Sequence, residues 1–140
     1  MIAVYVLLFL LIIYLITCYY IFVTAFKRKK DYNWLDVEEL KNNAWGDYAK
    51  YVPQTIKWLE DNGAEDIEIT TFDNLKLRGK WIKTENAHST IILVHGYRGH
   101  YVADFGAVYQ VYKDLGFNIL TFRHRAHGES QGKYITFGTF

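Results

Sequence analysis

The chain has 140 residues, 51% of them hydrophobic, with 16 Lys and Arg against 15 Asp and Glu. That balance leaves no basic footprint for nucleic acid. The single cysteine, Cys18, excludes a disulfide framework and a cysteine-based zinc site. Charge is unevenly placed: the first 26 residues carry no charged side chain, Lys27, Arg28, Lys29 and Lys30 follow at once, and the remainder holds 12 of the 16 bases and all 15 acids.

Residues 1–26 read as an uncleaved transmembrane anchor, since about 20 apolar residues suffice to cross a bilayer. Tyr5, Tyr14, Tyr19 and Tyr20 suit the interfacial zones. A signal peptide would need a charged start, a shorter apolar core and small residues at a cleavage site, and none is present. Thr17 before Cys18 and the uncharged start also argue against a lipoprotein site. Residues 27–33 form a basic juxtamembrane linker, and the positive-inside rule puts the following domain on the cytoplasmic side of a single-pass cell-membrane protein.

Residues 34–63 read as a helical segment of two short helices. In the first, Leu35, Val37, Leu40 and Trp45 make a loose apolar stripe, with Asp36, Glu38 and Glu39 near the positive end of the helix dipole. In the second, Pro53 suits the first turn, Ile56, Trp58 and Leu59 face inward, and Gly63 is the stop. From residue 64 to 140 the pattern changes. Ile67–Phe72 and Leu75–Ile82 alternate with period two around Asp73-Asn74, predicting an antiparallel hairpin with one solvated face. Thr90–Val94 has no polar alternation and reads as a fully buried strand. It runs into His95-Gly96-Tyr97-Arg98-Gly99, where two glycines permit a sharp turn that presents backbone N–H groups. Asp104–Leu115 predicts one helix with Phe105, Val108, Val111, Tyr112 and Leu115 on its inner face and Gly116 as its stop. Phe117–Phe122 is a further apolar strand, so 90–122 is a βαβ unit with parallel strands and a right-handed crossover.

Three motifs bear on chemistry. Gly128-Glu129-Ser130-Gln131-Gly132 fits G-x-S-x-G, but no strand runs directly into it, no helix follows, and no Asp or His comes after Ser130. Ser130 is therefore read as a loop serine and not a nucleophile. Gly128 to Lys133 is one residue short of a Walker A loop and has no Ser or Thr after the lysine. Among His95, His100, His124 and His127, the last two are three apart but lie in a loop rather than on a helix face, and no acid is obviously paired with them, so no metal and no cofactor is expected. The turn at His95-Gly96-Tyr97 is the better candidate. A backbone N–H just past a buried strand can stabilise an oxyanion, worth about 3 kcal/mol in a transition state, or the glycines merely allow a tight exit from the strand.

Taken together, Ile92-Leu93-Val94-His95-Gly96-Tyr97, Gly116-Phe117-Asn118-Ile119-Leu120 and Arg125-Ala126-His127-Gly128-Glu129-Ser130 resemble the amino-terminal half of an α/β-hydrolase. The likeness is to bacterial membrane-anchored serine hydrolases with H-G-Y and R-G-H-G-x-S segments. The resemblance implies an α/β fold: the first half of a hydrolase sheet, hairpin then βαβ, after a transmembrane helix and short helices. It makes Tyr97 the donor of one oxyanion-hole N–H, with His95 and Gly96 supporting the loop, and Ser130 the family's loop serine. Arg123 stands where the family usually has an acid. The nucleophile elbow, triad acid and triad histidine are expected after Phe140, in a missing C-terminal half, so this chain alone is expected to be inactive. The substrate implied is a small-molecule ester or similar acyl compound. The alternative is a membrane-tethered, non-catalytic binding or scaffold module.

Overall fold

The computed structural model describes residues 1–28, 36–42 and 46–136. Lys29, Lys30, Trp34, Leu35, Trp45 and residues 137–140 lie outside that description, and with them most of the basic linker and part of the first apolar stripe. Helix α1 spans Ile2–Phe26, buries none of its side chains, and is long and apolar enough to cross a membrane. Helix α2 (Val37–Lys41) begins at Asp36, whose carboxylate accepts the N–H groups of Glu38 and Glu39 at 3.0 and 3.1 Å. Asp36 is therefore the N-cap itself, satisfying two of the donors that a helix start leaves open. A 3₁₀ turn, Ala49–Tyr51, leads into α3 (Val52–Asp61) with Pro53 in its first turn. Val52, Thr55 and Leu59 are the buried face of α3, while Ile56 and Trp58 pack at its border.

Among the described residues four strands form one mixed sheet in the order β1-β2-β4-β3. Strands β1 (Glu65–Thr70) and β2 (Lys76–Ile82) make the expected antiparallel pair, from Glu65 opposite Trp81 to Thr70 opposite Lys76. In the loop between them only Asn74 takes a positive φ, 61°. Strand β4 (Phe117–Phe122) has the expected bounds. It pairs antiparallel with β2 and parallel with β3 (Ser89–Val94), whose register runs from Ser89 opposite Phe117 to Val94 opposite Phe122. Where β2 meets β4, a Cβ on Gly79 would stand 2.4 Å from the Thr121 carbonyl oxygen, so the two backbones approach as closely as glycine permits.

Two expectations need correction. Strand β3 is not fully buried: it lies at the outer edge of the described sheet, Leu93 alone is in the core, and Ile92 and Val94 are 57% and 52% exposed. An unbroken apolar run reports an appetite for burial, and here only one face has a covering layer. Nor is there a single helix over 104–115. Helix α4 (Tyr101–Phe105) and helix α5 (Tyr109–Asp114) are separated by a turn at Gly106–Val108. At Gly106 a Cβ would fall 2.2 Å from the Thr55 hydroxyl oxygen, so close packing on α3 selects glycine there. The helical face is reset as a result. Val111 and Leu115 are half exposed, whereas Tyr101, Val102 and Tyr109 enter a core shared with Leu40, Leu59, Ile82 and Ile119. The Tyr109 hydroxyl donates to the Tyr101 carbonyl at 2.9 Å, which meets the need of a buried phenol for a partner.

Candidate functional site

At the carboxyl end of β3 the chain turns within four residues. The Gly99 N–H donates to the Gly96 carbonyl at 2.9 Å, and Arg98, third in the turn, has φ +54°. That position of a type II turn is usually given to glycine. The two glycines act differently from the simple flexibility expected of them, since neither has a positive φ. A Cβ at Gly96 would meet nothing within 4 Å, whereas one at Gly99 would fall 2.3 Å from an Asp104 carboxylate oxygen. That carboxylate accepts the Gly96 N–H at 3.1 Å and the His100 N–H at 3.4 Å, tying the turn to the start of α4. In sequence Asp104 is only an acid at a helix start; its bond to the turn spans eight residues and has no local signature. His100 caps α4, its Nδ1 accepting from the Val102 N–H at 3.2 Å.

The turn is held from the other side by the loop after β4. His95 is 3% exposed, and its Nε2 accepts the His124 N–H at 3.1 Å while its Nδ1 faces the Gly96 carbonyl at 2.9 Å. His124 Nε2 faces the His95 carbonyl at 3.2 Å. His127 Nε2 accepts the Arg98 N–H at 3.1 Å, and its Nδ1 faces the Arg125 carbonyl at 2.8 Å. Each acceptor role fixes a neutral tautomer with the proton on the other nitrogen. Burial, reinforced by the neighbouring imidazoles, lowers the pKa of His95 to about 4 despite the Gly96 carbonyl and Asp104, which oppose the shift. Burial likewise lowers His100 to about 2. The three rings of His95, His124 and His127 pack against one another, with centroids 4.5 to 6.1 Å apart. Among the described residues no group of three or more His, Cys, Asp or Glu side chains converges to hold a metal ion.

Ser130 is completely buried; its hydroxyl donates to the Arg123 carbonyl at 2.7 Å and accepts the Arg78 N–H at 2.9 Å. It joins the loop to β2, consistent with a loop serine. Gln131 continues that seam, exchanging bonds with the backbone of Lys76 at 2.8 and 3.0 Å. Arg123 lies over the Tyr101 ring and pairs with Glu129 at 3.1 Å. Arg125 clasps the Asp73 carboxylate of the hairpin loop through both terminal guanidinium nitrogens, and those bonds, with one from Thr71, hold the Asp73 carboxyl well below the usual carboxylate range. Ala126 has φ +59°, at a place where the resembled motif has glycine.

His95, Gly96, Tyr97, His124 and His127, with Ile135 and Thr136, line a cavity of about 330 Å³. The three residues singled out in the turn thus share one concave site with two histidines of the following loop. A second cavity, of about 370 Å³ between α3 and α4, is lined by Tyr48, Tyr51, Thr55 and Trp58 among others and holds none of the residues singled out in the turn.

Neither a protein-family model nor a curated protein matches the chain. Solved structures do. One crystal form of the esterase Pf2001 of Pyrococcus furiosus is 39% identical with a TM-score of 0.50, over 58% of this chain and 33% of the esterase. A second form gives 39% and 0.47, over 54% and 30%. The α/β hydrolase GrgF of a Penicillium species gives 24% and 0.44, over 49% and 24%. The chain spans about a third of the esterase's length. A mixed sheet with a parallel β3–β4 pair, flanking helices and an apolar helix in front gives the chain an α/β-hydrolase-like fold over that part.

Proposed function

We propose that this chain is the amino-terminal part of a membrane-anchored serine hydrolase acting on an ester or similar acyl bond. The observation that carries the reading is the turn at His95-Gly96-Tyr97, which leaves a sheet strand at its carboxyl end and lines a cavity with His124 and His127. Crevices at the carboxyl ends of parallel strands are where open α/β sheets bind their ligands. The partial likeness to an esterase supports the same reading. In it the Tyr97 N–H stabilises the oxyanion, His95 and Gly96 hold the loop, and Asp104 positions the turn through the Gly96 N–H. Nucleophile, triad acid and triad histidine are supplied from beyond Phe140, and residues 1–140 alone do not turn over substrate. In this reading helix α1 crosses the cell membrane, and the basic run Lys27-Arg28-Lys29-Lys30 favours a cytoplasmic domain by the positive-inside rule.

The experiment is to express the protein from its own gene and treat membranes with a fluorophosphonate probe. Labelling of a serine other than Ser130 is the expected result; absence of any labelled serine rejects the hydrolase. A tethered, non-catalytic module is the second reading, favoured by one observation: the ring nitrogens of His95 and His127 are both engaged with backbone. It predicts no labelling.

A further inference from the structure

The carboxyl end of a helix leaves its last four carbonyls without partners inside the helix. At the end of α1 three of those carbonyls, of Thr24, Ala25 and Phe26, are taken by the candidate site. Arg98 Nη2 donates to the Thr24 and Ala25 carbonyls at 2.5 and 3.3 Å, the Tyr97 hydroxyl donates to Ala25, and the Ile135 N–H donates to Phe26 at 2.7 Å. Tyr97 and Ile135 also line the cavity. The seam continues as Lys27 bridges Tyr134, the Arg28 N–H donates to the Lys133 carbonyl at 2.9 Å, and the Arg28 guanidinium donates to the carbonyls of Ser130 and Gly128. Phe22 packs on Tyr134 with ring centroids 5.3 Å apart. Helix α1 is therefore docked on the rim of the cavity, and the Arg98 cation is on the side of the helix dipole that favours it.

This docking fixes the height of the site. If the stretch from Ile2 to Ile21 fills a hydrocarbon core that needs about 20 residues, Thr24 to Phe26 lie about 5 to 8 Å further along at the helical rise. That is the headgroup layer, and the cavity lies against it. Resting on the hydrolase reading above, we propose that the site takes its substrate from the bilayer: an acyl ester whose chain stays in the lipid while its carbonyl reaches the turn at Tyr97. A water-soluble ester of a short acid is the competing class.

The test uses the whole chain in lipid nanodiscs, with Cys18→Ser and a bimane on Thr136→Cys at the cavity. Ile69→Cys, at a position 60% exposed on the far strand, is the reference. Gly96→Cys, where a side chain has open space, serves as a second label should the first disturb folding. Lipids carrying a headgroup nitroxide are expected to quench the cavity label several-fold more than the reference. Monooleoylglycerol in the disc is expected to shift cavity-bimane emission, and dissolved ethyl butyrate is not. Equal quenching at both positions, a shift with ethyl butyrate alone, or a shift with neither ester overturns the proposal. None of these readouts needs turnover. A labelled serine in the fluorophosphonate experiment together with equal quenching would keep the hydrolase and discard the lipid substrate; quenching and a glyceride shift without any labelled serine would do the reverse.

Discussion

Acid should loosen the turn by forcing a proton onto His95. The ring is 3% exposed, and its Nε2 is the acceptor for the His124 N–H at 3.1 Å. Protonation puts a second hydrogen in that gap, so the bond is lost and a charge is buried. The sign follows from the shift: the folded pKa of about 4 lies below the ordinary 6.5, so the folded form binds fewer protons. The stabilisation is complete above pH 6.5 and is lost as pH falls toward 4. At 1.36 kcal/mol per pKa unit, linkage gives a loss of about 2 kcal/mol between pH 7.5 and 5. His100, lowered to about 2 with its Nδ1 capping α4, adds about 2 kcal/mol over the same range. Urea unfolding in detergent micelles, followed by near-UV circular dichroism, should show the wild-type chain losing about 4 kcal/mol across that interval. His95→Asn should start about 1–3 kcal/mol less stable at pH 7.5, because the His124 N–H loses its acceptor, and then lose only about half as much on acidification. Parallel pH profiles for the two proteins would refute the assignment of a buried, neutral, hydrogen-bonded imidazole at position 95.

Three further outcomes follow from single contacts. Ser130→Ala should cost about 1–3 kcal/mol in the same unfolding assay, because the Arg78 N–H is left without its buried acceptor; fluorophosphonate labelling of the expressed protein should persist, and its loss would make Ser130 the nucleophile after all. Gly99→Ala should destabilise the chain through collision with the Asp104 carboxylate, while Gly96→Ala, three residues away in open space, should leave the unfolding midpoint unchanged. Asp36→Ala should cost about 1 kcal/mol through loss of the α2 cap, read as a lower urea midpoint.

Sequence patterns reached as far as contacts local to each element. Strand β4 was legible because its six residues lie between Gly116 and Arg123 and all but Asn118 are apolar, aromatic or β-branched. The hairpin was legible from alternation, although its first strand begins at Glu65 and ends before Phe72, which is 80% exposed. The close packing at Gly106 was hidden because its partner is Thr55, about fifty residues earlier on another helix. Tyr109 stands four residues after Phe105 and three before Tyr112, so the helical period did admit it to the inner face, where it is 1% exposed. At the site, His95, Gly96 and Tyr97 were readable as a strand-end turn, but the residues that hold it were not. Asp104 reaches back to Gly96, and His127 reaches across from another loop to the Arg98 N–H. Arg98 itself is an unfavourable residue for a positive φ, so its conformation is imposed by partners distant in the sequence. The docking of α1 on the same turn was equally invisible, because an apolar span predicts a membrane crossing and says nothing of what meets its end.

The most direct test removes the one donor on which the account depends. Tyr97→Pro deletes the backbone N–H of residue 97, and Tyr97→Phe keeps it while losing only the hydroxyl that meets Ala25. With both variants made in the protein expressed from its own gene, and fluorophosphonate labelling rates followed in membranes, proline should slow labelling by roughly 10²–10³-fold and phenylalanine should label at nearly the wild-type rate. Equal rates for the proline variant and the wild type would contradict the assignment of the oxyanion donor to Tyr97.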